Sequence, residues 1–513
     1  MIAIILTICL ILGTVTVFGQ TLPKKEKEER PVKISLLGNY YEQDGNHSAV
    51  NGGHGSQELY SNELETLVHI PIKDSSAIKV SGGFDYYTSA SLLSIDKYAT
   101  SASSGVNNVS GDELRTFGNI SFELAHKKSN SMFSPSIGFS NEYDVSSFNT
   151  GLGWSKKTNH RHGIYSVGTT FIADRWMMIY PGEFRNQVTT YTTGASGTTG
   201  GNTGASPIYG SGGTSTGSGS TSGGTSGGSG GGSGTGSGGN SGGFWNGTNN
   251  GSLPTKSGSG EEYYGSEEGG VYYGLTPYAS VIPITGKTLS KDGNTYGVDY
   301  RYSWSLSNQY SFVINKKSNT AFGADIVWQN GMLSTPFHRV YFNDGITDEF
   351  SKEVRIEKLP NQRVKVAAFG RYNVSLHKNV ALRTFIRYYV DSWDVQGLTA
   401  NVDVPIYVYK GLSVSPTYRF YYQIKSKYYA DYGQHEFAQG SYYTSDYDLA
   451  GFTSQKVGMS MRYAPVNGIF NIHNKETEKS YFSLRSAGVR YSYYMRSDDF
   501  KAGSVTFELN FEL

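Results

Sequence analysis

Basic side chains recur at alternate positions through the second half of the chain. Arg363, Lys365 and Arg371 come first, then Arg383 and Arg387, then Arg419, Lys456, Arg462, Arg490 and Arg496, with Asp391 and Asp403 at matching parity. In extended chain such spacing puts the charges on one face and the intervening apolar and aromatic residues on the other. A row of cations on consecutive strands would favour anions in transit. The same row would also serve as ordinary ion pairs and ladders filling a polar interior, and the sequence leaves both uses open. Catalytic chemistry has less to stand on. No Ser-His-Asp order, Gly-rich phosphate loop or His-Glu-x-x-His pattern stands out. His160 and His162 flank Arg161, and His47 precedes His54, but neither pair has a carboxylate or cysteine cluster beside it. The expectation is therefore no catalytic residue, no metal ligand and no enzyme.

The elements that must carry these charges alternate with a period of two. In the closing segment Val505, Phe507, Leu509, Phe511 and Leu513 alternate with Thr506, Glu508, Asn510 and Glu512, as a half-buried strand does. Leu398 to Val408 and Leu412 to Tyr422 repeat the pattern and are joined by Lys410-Gly411, a tight hairpin turn. Segments of this kind fall near 32–41, 63–72, 77–87, 113–124, 132–144, 146–156 and 162–174, then 297–312, 319–329, 363–374, 379–391, 394–408, 411–424, 452–463, 484–496 and 502–513. These predict about sixteen strands, with a range of about 14–18. If the first strand runs outward, the long connections at 42–62, 88–112, 175–296, 330–362 and 425–451 all fall on one side and the short turns on the other. A transmembrane antiparallel up-and-down β-barrel of the bacterial outer membrane has this asymmetry, and a soluble sandwich has no reason for it. One connection, 464–483, is long where a short one is expected. Charges facing lipid near the midplane would cost about 2–4 kcal/mol each, so the lumen is where the basic residues belong. Tyr300, Tyr302, Trp304, Trp328, Tyr388, Tyr418, Tyr422, Tyr491 and Tyr493 fall on the opposite, apolar face, where interfacial girdles use such rings.

Composition agrees. The 40 Tyr and 25 Phe suit a pleated surface, and the net charge of +1 gives no reason to expect a nucleic-acid partner. The lone Cys9 lies in the apolar run that opens the chain. Residues 1–20 read as a secretory signal peptide and 21–31 as a periplasmic segment, leaving 32–513 as the barrel, so cleavage would leave no thiol. Within it, 186–262 is a low-complexity insertion built mainly of Gly, Ser, Thr and Asn, read as a disordered extracellular loop because it has too little apolar surface to fold.

That insertion contains Thr193-Gly194-Ala195-Ser196 and Thr203-Gly204-Ala205-Ser206. Both resemble the Ser/Thr-Gly-Ala-Ser/Thr sequence onto whose last hydroxyl a periplasmic transferase attaches flavin mononucleotide, which would make Ser196 or Ser206 the attachment point. No Asp precedes either copy, and a Gly/Ser/Thr-rich segment produces such matches by chance.

Several blocks carry a wider resemblance: Asn39 to Asn46 with Ser48-Ala49-Val50, Phe84 to Ser91, Ser334 to Phe342, Leu359 to Arg363, and Tyr418 to Gln423. Together they resemble an uncharacterised bacterial family, the domain of unknown function three-five-seven-zero, most often seen in Bacteroidetes-like Gram-negative bacteria. The resemblance implies an outer-membrane barrel of unassigned role, whose relatives often accompany periplasmic flavin-transferase genes. Three functions follow as expectations. One is a porin-like channel or transport component for small solutes, with outer-membrane lipid around it. The others are the barrel partner of a flavin-based extracytosolic electron-transfer system, with a periplasmic redox partner, and a surface interaction or adhesion protein.

Overall fold

The computed structural model describes residues 30–72, 76–88, 112–181, 184, 287–291, 294–343, 353–436, 440–473 and 480–513. Nineteen segments hydrogen-bond into one sheet, and three of them are short extensions of their neighbours, which leaves a ring of sixteen strands. They are β1 (Lys33–Asp44), β2 (Leu59–Pro71), β3 (Ala77–Thr88), β4 (Asp112–His126), β5 (Ser131–Asn141), β6 (Val145–Lys157), β7 (Ile164–Met178) and β8 (Asn294–Asn315). The ring continues through β9 (Ser318–Gly331), β10 (Gln362–His377), β11 (Val380–Asp391), β12 (Gln396–Asp403, resuming at Ile406–Tyr409), β13 (Leu412–Ile424), β14 (Phe452–Tyr463), β15 (Ser480–Arg496) and β16 (Lys501–Glu512). Every neighbouring pair is antiparallel, and β16 closes on β1 from Lys33↔Glu512 to Asp44↔Lys501.

Closure removes both sheet edges, as a strand assembly in hydrocarbon requires. The outer surface carries the apolar half of each alternation. Ile120, Ile137, Leu152, Ile386, Val457 and Met459 are exposed at mid-height. Tyr302, Trp304, Trp328, Tyr388 and Tyr422 ring the end with long connections, and Trp154, Tyr165, Tyr372 and Tyr463 ring the other. Two aromatic girdles around an apolar belt are the exterior of an outer-membrane barrel, and this protein is one. No described helix is long and apolar enough to cross a membrane; the strands make the crossing.

Turn chemistry fixes the register at the short-turn end. Lys410 (φ 23°) and Gly411 (φ 95°) both take the positive φ that a two-residue hairpin needs. Pro405 cannot donate to a ladder, so the stretch expected as one strand over 394–408 divides after Asp403 and resumes at Ile406. Within the anomalous connection 464–483, Phe470–His473 pairs with the start of β15, extending the wall at that end. Residues 1–20, expected as a signal peptide, residues 21–29 and the insertion 186–262 lie outside the described residues.

Candidate functional site

The inward faces of β10 to β15 carry the basic residues singled out from sequence. They fall into two zones. Near the long-loop end Arg363 stacks over Trp393 at 4.1 Å and donates Nε to Asp391 Oδ2 at 2.9 Å. Lys365 lies opposite Asp391 in the register, and Arg301 donates to Asp174 at 2.8 Å, with all of these side chains buried. Lower in the wall the charges face open space. Arg387 reaches Asp325 at 3.8 Å and Arg383 reaches Asp403 at 3.5 Å, their side chains 41% and 44% exposed although both point into the barrel. Exposure on an inward face means a water-lined lumen, as a ring of this strand number leaves. Arg371 lies over Phe369 and Phe385 at 5.5 and 5.4 Å. On β13 to β15, Arg419 faces Lys456 directly across the ladder, and Arg490 adds to the field at Lys456. Arg462 donates to Ser486 at 3.1 Å. Arg496 is engaged at the rim: its guanidinium holds Asp448 and Asp498 and stacks over Phe452 at 3.9 Å.

The upper zone is buried because loops roof it. The β1–β2 loop, the β9–β10 loop and the β13–β14 loop leave widely separated strands and meet. Arg339 of the second donates Nη1 to the carbonyl oxygen of Val50 in the first at 2.9 Å. His47 stacks on Tyr447 of the third with ring centroids 3.9 Å apart. The second and third loops add backbone bonds between Lys358 and Tyr443 in both directions. Val50 and Phe337 then pack with Met177, Ile179 and Tyr296 from the tops of β7 and β8 into a buried apolar cluster. Because β1–β2 and β9–β10 lie half-way round the ring from each other, these contacts span the mouth. Glycine is needed where the loops touch: a Cβ on Gly52 (φ 75°) would stand 2.6 Å from the Tyr341 ring.

Inside the roof three ionisable side chains converge: His338, Glu357 and Asp446. Thr335 N donates to Glu357 Oε2 at 2.7 Å, and Thr444 Oγ1 donates to Oε1 at 2.5 Å. Burial, with Asp448 adding to it, lifts the Asp446 carboxyl to about 7. Burial works against charge on His338, but the carboxylates of Glu357, Asp446 and Asp448 together outweigh it and the ring titrates above its ordinary value. Sequence reading missed this cluster, since its members sit on irregular loops far apart in the chain. His338 does lie in the block Ser334 to Phe342 that carried the family resemblance. Ser196 and Ser206 fall outside the described residues.

The resemblance is met by a model of the family described as Protein of unknown function (DUF3570). It matches residues 288–475. That span holds the β9–β10 and β13–β14 loops with the His338 cluster. No curated protein matches the chain. Among solved structures, the chain is similar to a bacterial polysaccharide outer membrane secretin at 7% identity, covering 95% of this chain and 100% of that one, with a TM-score of 0.38. It is similar to OccK1 (OpdK) of Pseudomonas aeruginosa at 5% identity, covering 94% and 98%, TM-score 0.32. The ferric enterobactin receptor (PfeA) of the same organism follows at 8% identity, covering 90% of this chain and 53% of that one, TM-score 0.37.

Proposed function

We propose that this outer-membrane barrel is a non-enzymatic, porin-like conduit for small anionic solutes, held shut at its outer mouth by its own folded loops. The observation that carries the reading is the contrast within one wall. Arg383 and Arg387 are solvated below the roof, while Arg363 and Asp391 are sealed beneath it. A lumen that is wet below and closed above is a vestibule with a gate. Arg419 stands directly opposite Lys456 across the ladder, with Arg490 nearby, and this concentration of positive charge on one part of the wall suits attraction of anions.

Planar-bilayer recording of the refolded protein tests this. Intact protein is expected to conduct rarely and in brief openings, and a variant with 333–358 replaced by a short Gly/Ser turn to conduct steadily with preference for anions. Changing Arg419, Lys456 and Arg490 together to Gln should shift the reversal potential of that variant toward cations. A folded, loop-shortened barrel without conductance removes the conduit reading.

A further inference from the structure

We propose that His338, Glu357 and Asp446 form a three-ligand site for a zinc-class divalent ion that pins the β9–β10 loop to the β13–β14 loop. The proposal stands on the roof's geometry and is independent of whether solutes pass beneath it. One ligand atom from each residue lies within 4.8 Å of the other two. His338 is 5% exposed, and neither of its ring nitrogens has a hydrogen-bond partner. A buried imidazole is costly to leave unsatisfied, so the pocket calls for something the protein's own donors and acceptors do not supply.

The distances point to a metal ion. His338 Nδ1 stands 3.5 Å from Glu357 Oε1, which is outside good hydrogen-bond geometry. Ligand atoms bound at about 2.0–2.2 Å to a tetrahedral zinc sit roughly 3.4 Å apart, so the separation matches one edge of such a shell. Imidazole with carboxylates favours zinc and its first-row neighbours over calcium or magnesium, which take all-oxygen sets. An outer shell is already built. Both Glu357 oxygens are oriented by Thr335 and Thr444, Asp446 Oδ1 accepts from Asp448 N at 2.9 Å, and Asp446 N donates to Thr444 Oγ1 at 3.0 Å. Charge balance agrees, since a buried and a half-buried carboxylate facing one imidazole gain from a dication.

The test uses tag-free, full-length protein refolded in detergent, stripped with a chelator, loaded with zinc alone, dialysed and assayed for bound metal by elemental analysis. Wild type should retain about one zinc per chain. His338→Ala and Glu357→Gln should lose it, and Thr444→Val, which removes the outer-shell donor to Glu357 and the acceptor for Asp446 N, should bind roughly 10- to 100-fold more weakly. Heat-modifiable migration on gels establishes that each barrel is folded; if His338→Ala does not fold, the Glu357→Gln and Thr444→Val comparison carries the result. Wild type that retains no more zinc than these folded variants overturns the site and leaves the three side chains as a proton-sharing cluster.

Discussion

Arg339 and Val50, on loops that arise from opposite sides of the barrel, are joined by a 2.9 Å hydrogen bond from guanidinium to backbone carbonyl. The carbonyl belongs to a single 3-10 turn, Ala49–Asn51, whose Ala49 and Val50 are fully enclosed. Removing the guanidinium leaves a buried acceptor without this partner, at a cost of about 1–3 kcal/mol. Arg339→Ala should therefore release the turn. Hydrogen exchange at the amides of Gly52 and Gly53, which donate to Ala49 and Ser48, should speed up by roughly tenfold or more while strand amides stay protected.

The Arg363–Asp391 pair joins β10 to β11 beside the β11–β12 turn, whose Trp393 and Val395 pack with Leu359, Tyr429 and Leu449 of the roof. Asp391 also accepts from the Tyr389 hydroxyl and from the amides of Trp393 and Val395. Asp391→Ala strands a buried guanidinium and should cost about 3–5 kcal/mol, read as a lower urea midpoint. Arg363→Met combined with Asp391→Leu should be milder than Asp391→Ala, because no charge is then left unpaired.

Acid should loosen the roof through His435. Its ring touches the Thr444 carbonyl at 2.9 Å and packs near Phe342 and Tyr443. Burial lowers its pKa, opposed by the Thr444 carbonyl and by Asp431. A depressed histidine binds fewer protons folded than unfolded, so its contribution is intact above the unfolded value of about 6.5 and is lost as pH falls from there through the folded value. The raised Asp446 and His338 of the same roof favour the closed state toward acid pH, so the His435 effect is read as a difference: on going from neutral to acid pH, opening frequency in bilayers should rise more in wild type than in His435→Gln, which cannot titrate.

Deleting 186–262 should leave the barrel intact. β7 and β8 pair continuously from Ile164↔Ser311 to Met178↔Gly297, so the ladder does not need the intervening chain. Heat-modifiable gel migration equal to that of the full chain checks this, and surface binding that vanishes with the deletion would mark that segment as an adhesive loop.

The wall was legible because one physical rule writes every strand: oily side chains toward hydrocarbon, polar ones toward water. Each of the sixteen expected segments overlaps a strand of the ring. The rule loses its signal where the ladder slips. β15 starts at Ser480 and not near 484 because the register shifts between Leu484 and Ser486, which breaks the alternation there. The roof was illegible for a different reason. Phe337 and Val50 are core residues without any period around them, and Asp446 meets His338 only because β9 and β13 bring their loops to one mouth. Contacts between irregular segments leave no repeating mark on a sequence.

The pairing of Lys33 with Glu512 has a bearing on biogenesis. The two staves that complete the cylinder are the earliest and the latest of the ring to leave the ribosome. Until the last stave meets the first, any partly formed sheet carries two raw margins, with donors and acceptors ready to capture a passing strand, and a chain truncated before the final stave would be sticky and never watertight.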